Sequence, residues 1–209
     1  SVSGNFTPGV KEGLQPQIIV TIAEHHSNFV PWQQLAKATG ATLTVVPLRP
    51  TPSVSFSSRS APGASDIGNP GIHGSPIRSD RQGDLPVEDD KQPWELDLAF
   101  LEAALKERPT AIVAVADVGN VLGTVNPTAK IIELAHAHGA PVLVDAAQSL
   151  AHLPVNVRRL GADFVVGSGH KLYGPTGIGL LWAKQEHLAA MPPVQFGGEM
   201  IRSVTIDNT

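Results

Sequence analysis

The stretch Pro141-Val-Leu-Val-Asp-Ala-Ala-Gln-Ser149, followed by Asp163-Phe-Val-Val-Gly-Ser-Gly-His-Lys171, decides the fold of this chain. Each half opens on a short, continuous, largely β-branched apolar run and then breaks abruptly into polar groups. Continuous rather than alternating apolar character marks a strand covered on both faces, the habit of parallel sheets packed between helices. The polar residues then fall at the carboxyl end of each strand.

The same grammar repeats in both directions. Upstream, Ile18-Ile-Val-Thr-Ile22 reads as a buried strand. Pro31 precedes a helical segment from Trp32 to Thr39, and Gly40 stands where a left-handed helix cap falls before a second β-branched run, Thr42 to Val46. Asp97 is placed as the N-cap of a helix reaching Glu107, which leads into a strand from Ala111 to Ala116. Asn126 and Pro127 offer an N-cap and first-turn proline for a helix that Gly139 ends. Strands at Pro141 to Val144, Asp163 to Val166 and Gly177 to Ala183 complete the series. Strands alternating with helices of this length predict an α/β fold with a mainly parallel sheet. Residues 50–92 break the pattern: Ser, Pro, Gly, Asp and Arg crowd there without helical or alternating apolar spacing, so a disordered surface insertion is expected.

Composition removes several function classes. The 209 residues are 42% hydrophobic and 16% charged with a net charge of −4, so the chain can bury a core but offers no basic face for nucleic acid or an anionic membrane. No apolar run approaches the roughly 20 residues of a membrane helix. Cysteine is absent, which excludes disulfides, thiolate metal sites and cysteine nucleophiles from these residues. A small molecule is the expected partner, and no metal site is expected. His25 and His26 are adjacent, and neighbours leaving a strand point to opposite faces. His136 and His138, near a helix end, have a sufficient role in a favourable dipole contact.

In open parallel sheets, ligands bind beyond the carboxyl ends of the strands. Four strand ends here deliver polar groups to one edge: Glu24, His25 and His26; Asp117 and Asn120; Asp145 and Gln148; Ser168, His170 and Lys171. Taken singly, Asp145 is a cap or turn residue and Lys171 a solvated lysine. Together they match the needs of pyridoxal 5′-phosphate (PLP): a lysine amine to bond its aldehyde, and a carboxylate to keep the ring nitrogen protonated. Gly167-Ser-Gly-His170 adds a hydroxyl, an imidazole and close backbone approach for a phosphate, and His25 offers a ring for stacking.

At this point the residues resemble a known family. Val144-Asp-Ala-Ala-Gln-Ser149 and Ala162-Asp-Phe-Val-Val-Gly-Ser-Gly-His-Lys-Leu-Tyr-Gly-Pro-Thr-Gly-Ile-Gly179 are similar to class V aminotransferases, and within them to the SufS-type, group II cysteine desulfurases. Glu24-His-His-Ser-Asn-Phe-Val-Pro-Trp32, Gly119-Asn-Val-Leu-Gly-Thr124, Met191-Pro-Pro and Gly197-Gly-Glu-Met-Ile201 look like further motifs of that subfamily. The resemblance implies the type I PLP fold, with residues 1–209 forming part of the large cofactor domain. It implies that Lys171 bonds the cofactor, Asp145 pairs with the pyridine nitrogen and Gln148 hydrogen-bonds the ring hydroxyl. Ser168 and His170 would hold the phosphate, His25 would stack and help move protons, and Asn120 would lie near the ring hydroxyl and the substrate carboxylate.

It further implies L-cysteine or selenocysteine as substrate, a homodimer, a SufE-type sulfur acceptor and a role in iron–sulfur assembly. The chain departs from the pattern in lacking an upstream Gly-Thr-Thr turn and a downstream domain with the sulfur-accepting cysteine and a substrate-binding arginine, so a fragment is expected. Asp117 and Gly119 stand where the subfamily usually has His and Ser. Other class V lyases, or a truncated chain that at most binds PLP, are the alternatives. A plastid location is expected from the low-complexity insertion, with bacterial cytoplasm as the alternative.

Overall fold

The computed structural model describes residues 14–51 and 94–192. β1 (Gln17–Thr21), β2 (Thr42–Val46), β5 (Thr110–Ala116), β6 (Val142–Asp145), β7 (Phe164–Ser168) and β8 (Gly179–Ala183) form one sheet in the order β2-β1-β5-β6-β7-β8. The first five run parallel and β8 is antiparallel to β7, so the expected α/β, mainly parallel architecture is what the chain adopts. The intervening helices are α1 (His26–Thr39), α2 (Leu98–Glu107), α3 (Thr128–Ala137), α4 (Ser149–His152), α5 (Val157–Leu160) and α6 (Gln185–Ala190).

Successive strand residues feed opposite faces, which explains the continuous apolar runs. Ile19, Val113, Val115, Val142, Val144 and Val165 pack with Leu101 and Leu105 of α2 and Ile131, Ile132 and Ala135 of α3. Their neighbours Ile18, Val20 and Ala114 pack with Ala36 of α1, beside Phe29 and Trp32. Each fully buried aliphatic side chain contributes roughly 1.5–3 kcal/mol relative to exposure.

Asp97 does cap α2, accepting from Phe100 N–H at 3.0 Å, and Gly40 ends α1 at φ +75°. Two helix starts differ from expectation. α1 begins at His26 rather than after Pro31, because the His25 Nδ1 accepts from Ser27 N–H at 3.2 Å and caps the first turn. Pro31 therefore lies inside the helix, where its ring forgoes one backbone bond. α3 begins at Thr128, and Asn126 is not its cap. The Asn126 amide turns inward and donates to Ala116 O at 2.7 Å, while Thr128 Oγ1 donates to Asp117 Oδ1 at 2.7 Å and brings a carboxylate to the helix start.

Two short strands were not expected: β3 (Leu48–Pro50) and β4 (Trp94–Leu96) pair as a ribbon, with Arg49 and Glu95 in an ion pair at 2.7 Å. The expected insertion at 50–92 thus loses Pro50 to a strand, and its remainder beyond Thr51 lies outside the described residues. Residues 50–94 group as a separate unit. Among the described residues, no helix is long and apolar enough to cross a membrane, and no three His, Cys, Asp or Glu side chains are grouped as a metal site.

Candidate active site

At the carboxyl edge of the sheet, Ala116 of β5 lies in register with Asp145 of β6, and Asp145 with Val166 of β7. Consecutive strand ends therefore stand side by side. His25 beyond β1, Asn120 beyond β5, Asp145 and Gln148 at β6, and Lys171 beyond β7 line one small cleft with Ala116, Val118 and Ala147. Five of the seven residues singled out from sequence are brought together there. Ser168, half-buried, and His170, exposed, share the turn that carries Lys171 but do not line this cleft.

That turn is a 3-10 helix, Gly169–Leu172, held by Gly169 N–H to Ile178 O and Gly174 N–H to Gly169 O, both at 2.9 Å. Tyr173 closes it at φ +61°, the one non-glycine residue at positive φ among the described residues. The flanking glycines have a packing reason of their own. A Cβ on Gly167 would lie 2.5 Å from Leu150 Cδ1, and one on Gly169 would collide with Ile178 Cγ2.

The polar groups here are conspicuous for what they leave open. Asp145 Oδ1 accepts from Ala147 N–H at 2.9 Å, while its other oxygen has no hydrogen-bond partner among the described residues. The side chains of Asn120, Gln148, Ser168, His170 and Lys171 likewise make no hydrogen bond or ion pair among the described residues. A free amine, a free carboxylate oxygen, an amide and an imidazole around one cleft are the donor set that PLP requires, so the residues present fit that group.

Three features escaped the sequence reading. Glu24 was noted only as a strand-end residue, yet its carboxyl accepts from Thr21 Oγ1 (2.5 Å), Ala116 N–H (3.0 Å) and Asn28 Nδ2 (2.6 Å). Burial pushes Glu24 above its ordinary value, Asp145 adds to that, and the hydrogen bonds pull against it. At the opposite edge, Asp163 is 4% exposed and accepts from Lys184 Nζ (2.6 Å), Val142 N–H (2.7 Å) and His136 Nε2 (2.7 Å), with His187 Nε2 at 3.3 Å. Burial would raise Asp163, but the bonds from Lys184, His136 and Val142 overcome it and hold the carboxyl at about 2. His136 is thus the partner of a buried carboxylate, whereas His138 bonds Leu134 O at 2.9 Å in the helix-end contact expected of both. Third, His25 and His26 do not part to opposite faces, because the chain enters a helix there; their ring centroids are 5.9 Å apart.

An α/β sheet with a lysine and a carboxylate converging at its carboxyl edge fits a PLP-type site. The chain belongs to the aminotransferase class-V family, whose model matches residues 5–59 and 81–209. Members of this family use PLP. It is 46% identical over 198 residues to a cysteine desulfurase of Dickeya dadantii, covering 94% of this chain and 38% of that protein. Among solved structures it resembles the cysteine desulfurase CsdA of Escherichia coli (TM-score 0.67, 35% identity, 94% of this chain, 39% of that one). A cysteine desulfurase of Thermococcus onnurineus NA1 is also similar (TM-score 0.65, 32% identity, 93% and 38%). The chain therefore spans under two fifths of the length of each of these relatives.

Proposed function

We propose that these residues are the PLP-holding part of a cysteine desulfurase, which converts L-cysteine to L-alanine and leaves the sulfur as a persulfide on a protein thiol. The observation that carries this reading is the convergence of Lys171, Asp145, Gln148, Asn120 and His25 on one cleft, where the Lys171 amine, the Gln148 and Asn120 amides and the second Asp145 oxygen have no side-chain partner among the described residues. The identity to named cysteine desulfurases supports the choice of substrate.

PLP, when bound, supplies an electron sink that makes bonds at an attached amino acid's α-carbon labile. Lys171 would hold it covalently, and Asp145 would offer its second oxygen to the ring nitrogen, where a carboxylate favours the protonated form. Gln148 would hydrogen-bond the ring hydroxyl and Asn120 would orient the substrate carboxylate. Ser168 and His170 would bind the phosphate. His25 would stack on the ring, and since its Nδ1 is engaged by the α1 cap, Nε2 is the atom left to carry protons. The 209 residues contain no cysteine, so on this reading the accepting thiol comes from elsewhere, and a SufE-type protein then takes the sulfur toward iron–sulfur assembly. Exposed apolar residues on the loops carrying Asn120 and Lys171, Val121 at 85% and Tyr173 at 95%, support a second copy of the protein as a partner there.

The test is spectroscopic. Full-length protein titrated with PLP should develop a visible absorption band that Lys171→Ala abolishes, and added L-cysteine should bleach it while alanine appears. A band that persists in Lys171→Ala removes the reading.

A further inference from the structure

Glu24 lies between two segments of the site, and its surroundings accept a carboxyl and nothing else. One oxygen faces the Ala116 N–H, which can only donate. The other faces Asn28 Nδ2 at 2.6 Å. The orientation of the Asn28 amide is not free, because Trp32 Nε1, a pure donor, occupies Asn28 Oδ1 at 3.1 Å. Both oxygens at position 24 must therefore be acceptors. Thr21 Oγ1 is the adaptable partner: it donates to an ionised carboxyl at 2.5 Å, and accepts from a neutral one. Burial and the nearby Asp145 favour the neutral acid, and the arrangement holds in either state. A glutamine fits neither way round, since its NH2 would face Asn28 Nδ2 or the Ala116 N–H.

The three tethered segments are the end of β1, the first turns of α1 and the end of β5. His25 sits between the first two, and Ala116 lines the cleft in register with Asp145.

We propose that Glu24 is the positioning residue of this site: its two acceptor oxygens lock β1, α1 and β5 together and so hold the His25 ring at the cleft of Asp145 and Lys171. The proposal rests on the PLP reading of that cleft. It predicts that a side-chain exchange restores the orientation of the bound cofactor, a readout that a role in stability alone would not move. In E24Q the donors oppose one another. In the double variant E24Q/N28D the roles reverse, with the new amide at position 24 donating to the new carboxylate at position 28, whose other oxygen still accepts from Trp32 Nε1.

Full-length wild type, E24Q, N28D and E24Q/N28D would be titrated with PLP, reading affinity from absorption and cofactor orientation from visible circular dichroism per bound PLP. E24Q should raise the PLP dissociation constant about tenfold, the scale of one mispaired buried polar group, and weaken the dichroism, while N28D, in which two carboxyls can share one proton, should lose less. The exchange should bring both within about threefold of wild type. E24Q indistinguishable from wild type, or an exchange as impaired as E24Q, overturns the role of Glu24. If E24Q does not fold, the exchange alone decides by the same criterion. A wild type without a Lys171-dependent band overturns the PLP reading instead, so the two failures are separable.

Discussion

The two edges of the sheet use the same residue types to opposite ends. At the amino edge the buried polar side chains are consumed. Asp163 has its four partners, and Gln17, 2% exposed, donates to Ala104 O at 2.7 Å and Thr110 Oγ1 at 3.0 Å while accepting from Thr44 Oγ1 at 2.7 Å. At the carboxyl edge Asp145 keeps an oxygen free and Lys171 keeps its amine free. A satisfied buried network fastens elements together and has nothing left for a ligand. An unsatisfied set costs stability unless solvent or a ligand completes it. The difference between a structural and a functional edge therefore lies in vacancy, not in charge.

Crossed substitutions break this comparison most sharply. Asp163→Ala leaves Lys184, His136 and His187 facing a lost counter-charge and should destabilise the protein by about 3 kcal/mol in urea unfolding. Any folded fraction should still bind PLP. Lys171→Ala should do the reverse, abolishing the band while shifting stability by no more than about 0.5 kcal/mol, since that amine has no partner among the described residues. Equal stability losses in the two variants would dissolve the distinction. Asp145→Asn sharpens it by a smaller step: the bond from Ala147 N–H survives on the amide oxygen, but the charge facing the ring nitrogen goes. PLP affinity should fall about tenfold, checked by the same titration, with little change in the unfolding midpoint.

The carboxyl edge was largely readable from sequence and the amino edge was not. Strand ends announce themselves where an apolar run stops, so Asp145, Asn120 and Lys171 could be assigned to one edge from the alternation of elements alone. Asp163 precedes its strand, and its partners come from 27, 21 and 24 residues away, on α3, at the end of β8 and on α6. No local pattern links them. The available signal was register: in a hairpin-like pairing of β7 with β8, Phe164 faces Ala183, which puts Asp163 and Lys184 together. Glu24 was hidden for another reason, since Thr21, Glu24 and Asn28 look like an ordinary helix entrance until the Ala116 N–H of a distant strand is seen to need an acceptor.

The finest contrast is in pH. Asp163 is depressed from 3.8 to about 2, so at neutral pH its ionised form stabilises the folded state by about 2 kcal/mol. Above about pH 5 the carboxyl is ionised in both folded and unfolded chains and this contribution is constant. As pH falls through 4 toward 2 the unfolded chain takes up the proton first, and the contribution drains away. Glu24, raised from 4.5, has the opposite sign: its contribution is complete below pH 4.5 and is lost as pH rises through its folded value. Urea unfolding between pH 2 and 7 should therefore show the gap between wild type and Asp163→Asn flat above about pH 5 and narrowing below it. A gap that stays constant down to pH 2.5 would mean that ionisation of Asp163 contributes nothing to the stability of the amino edge.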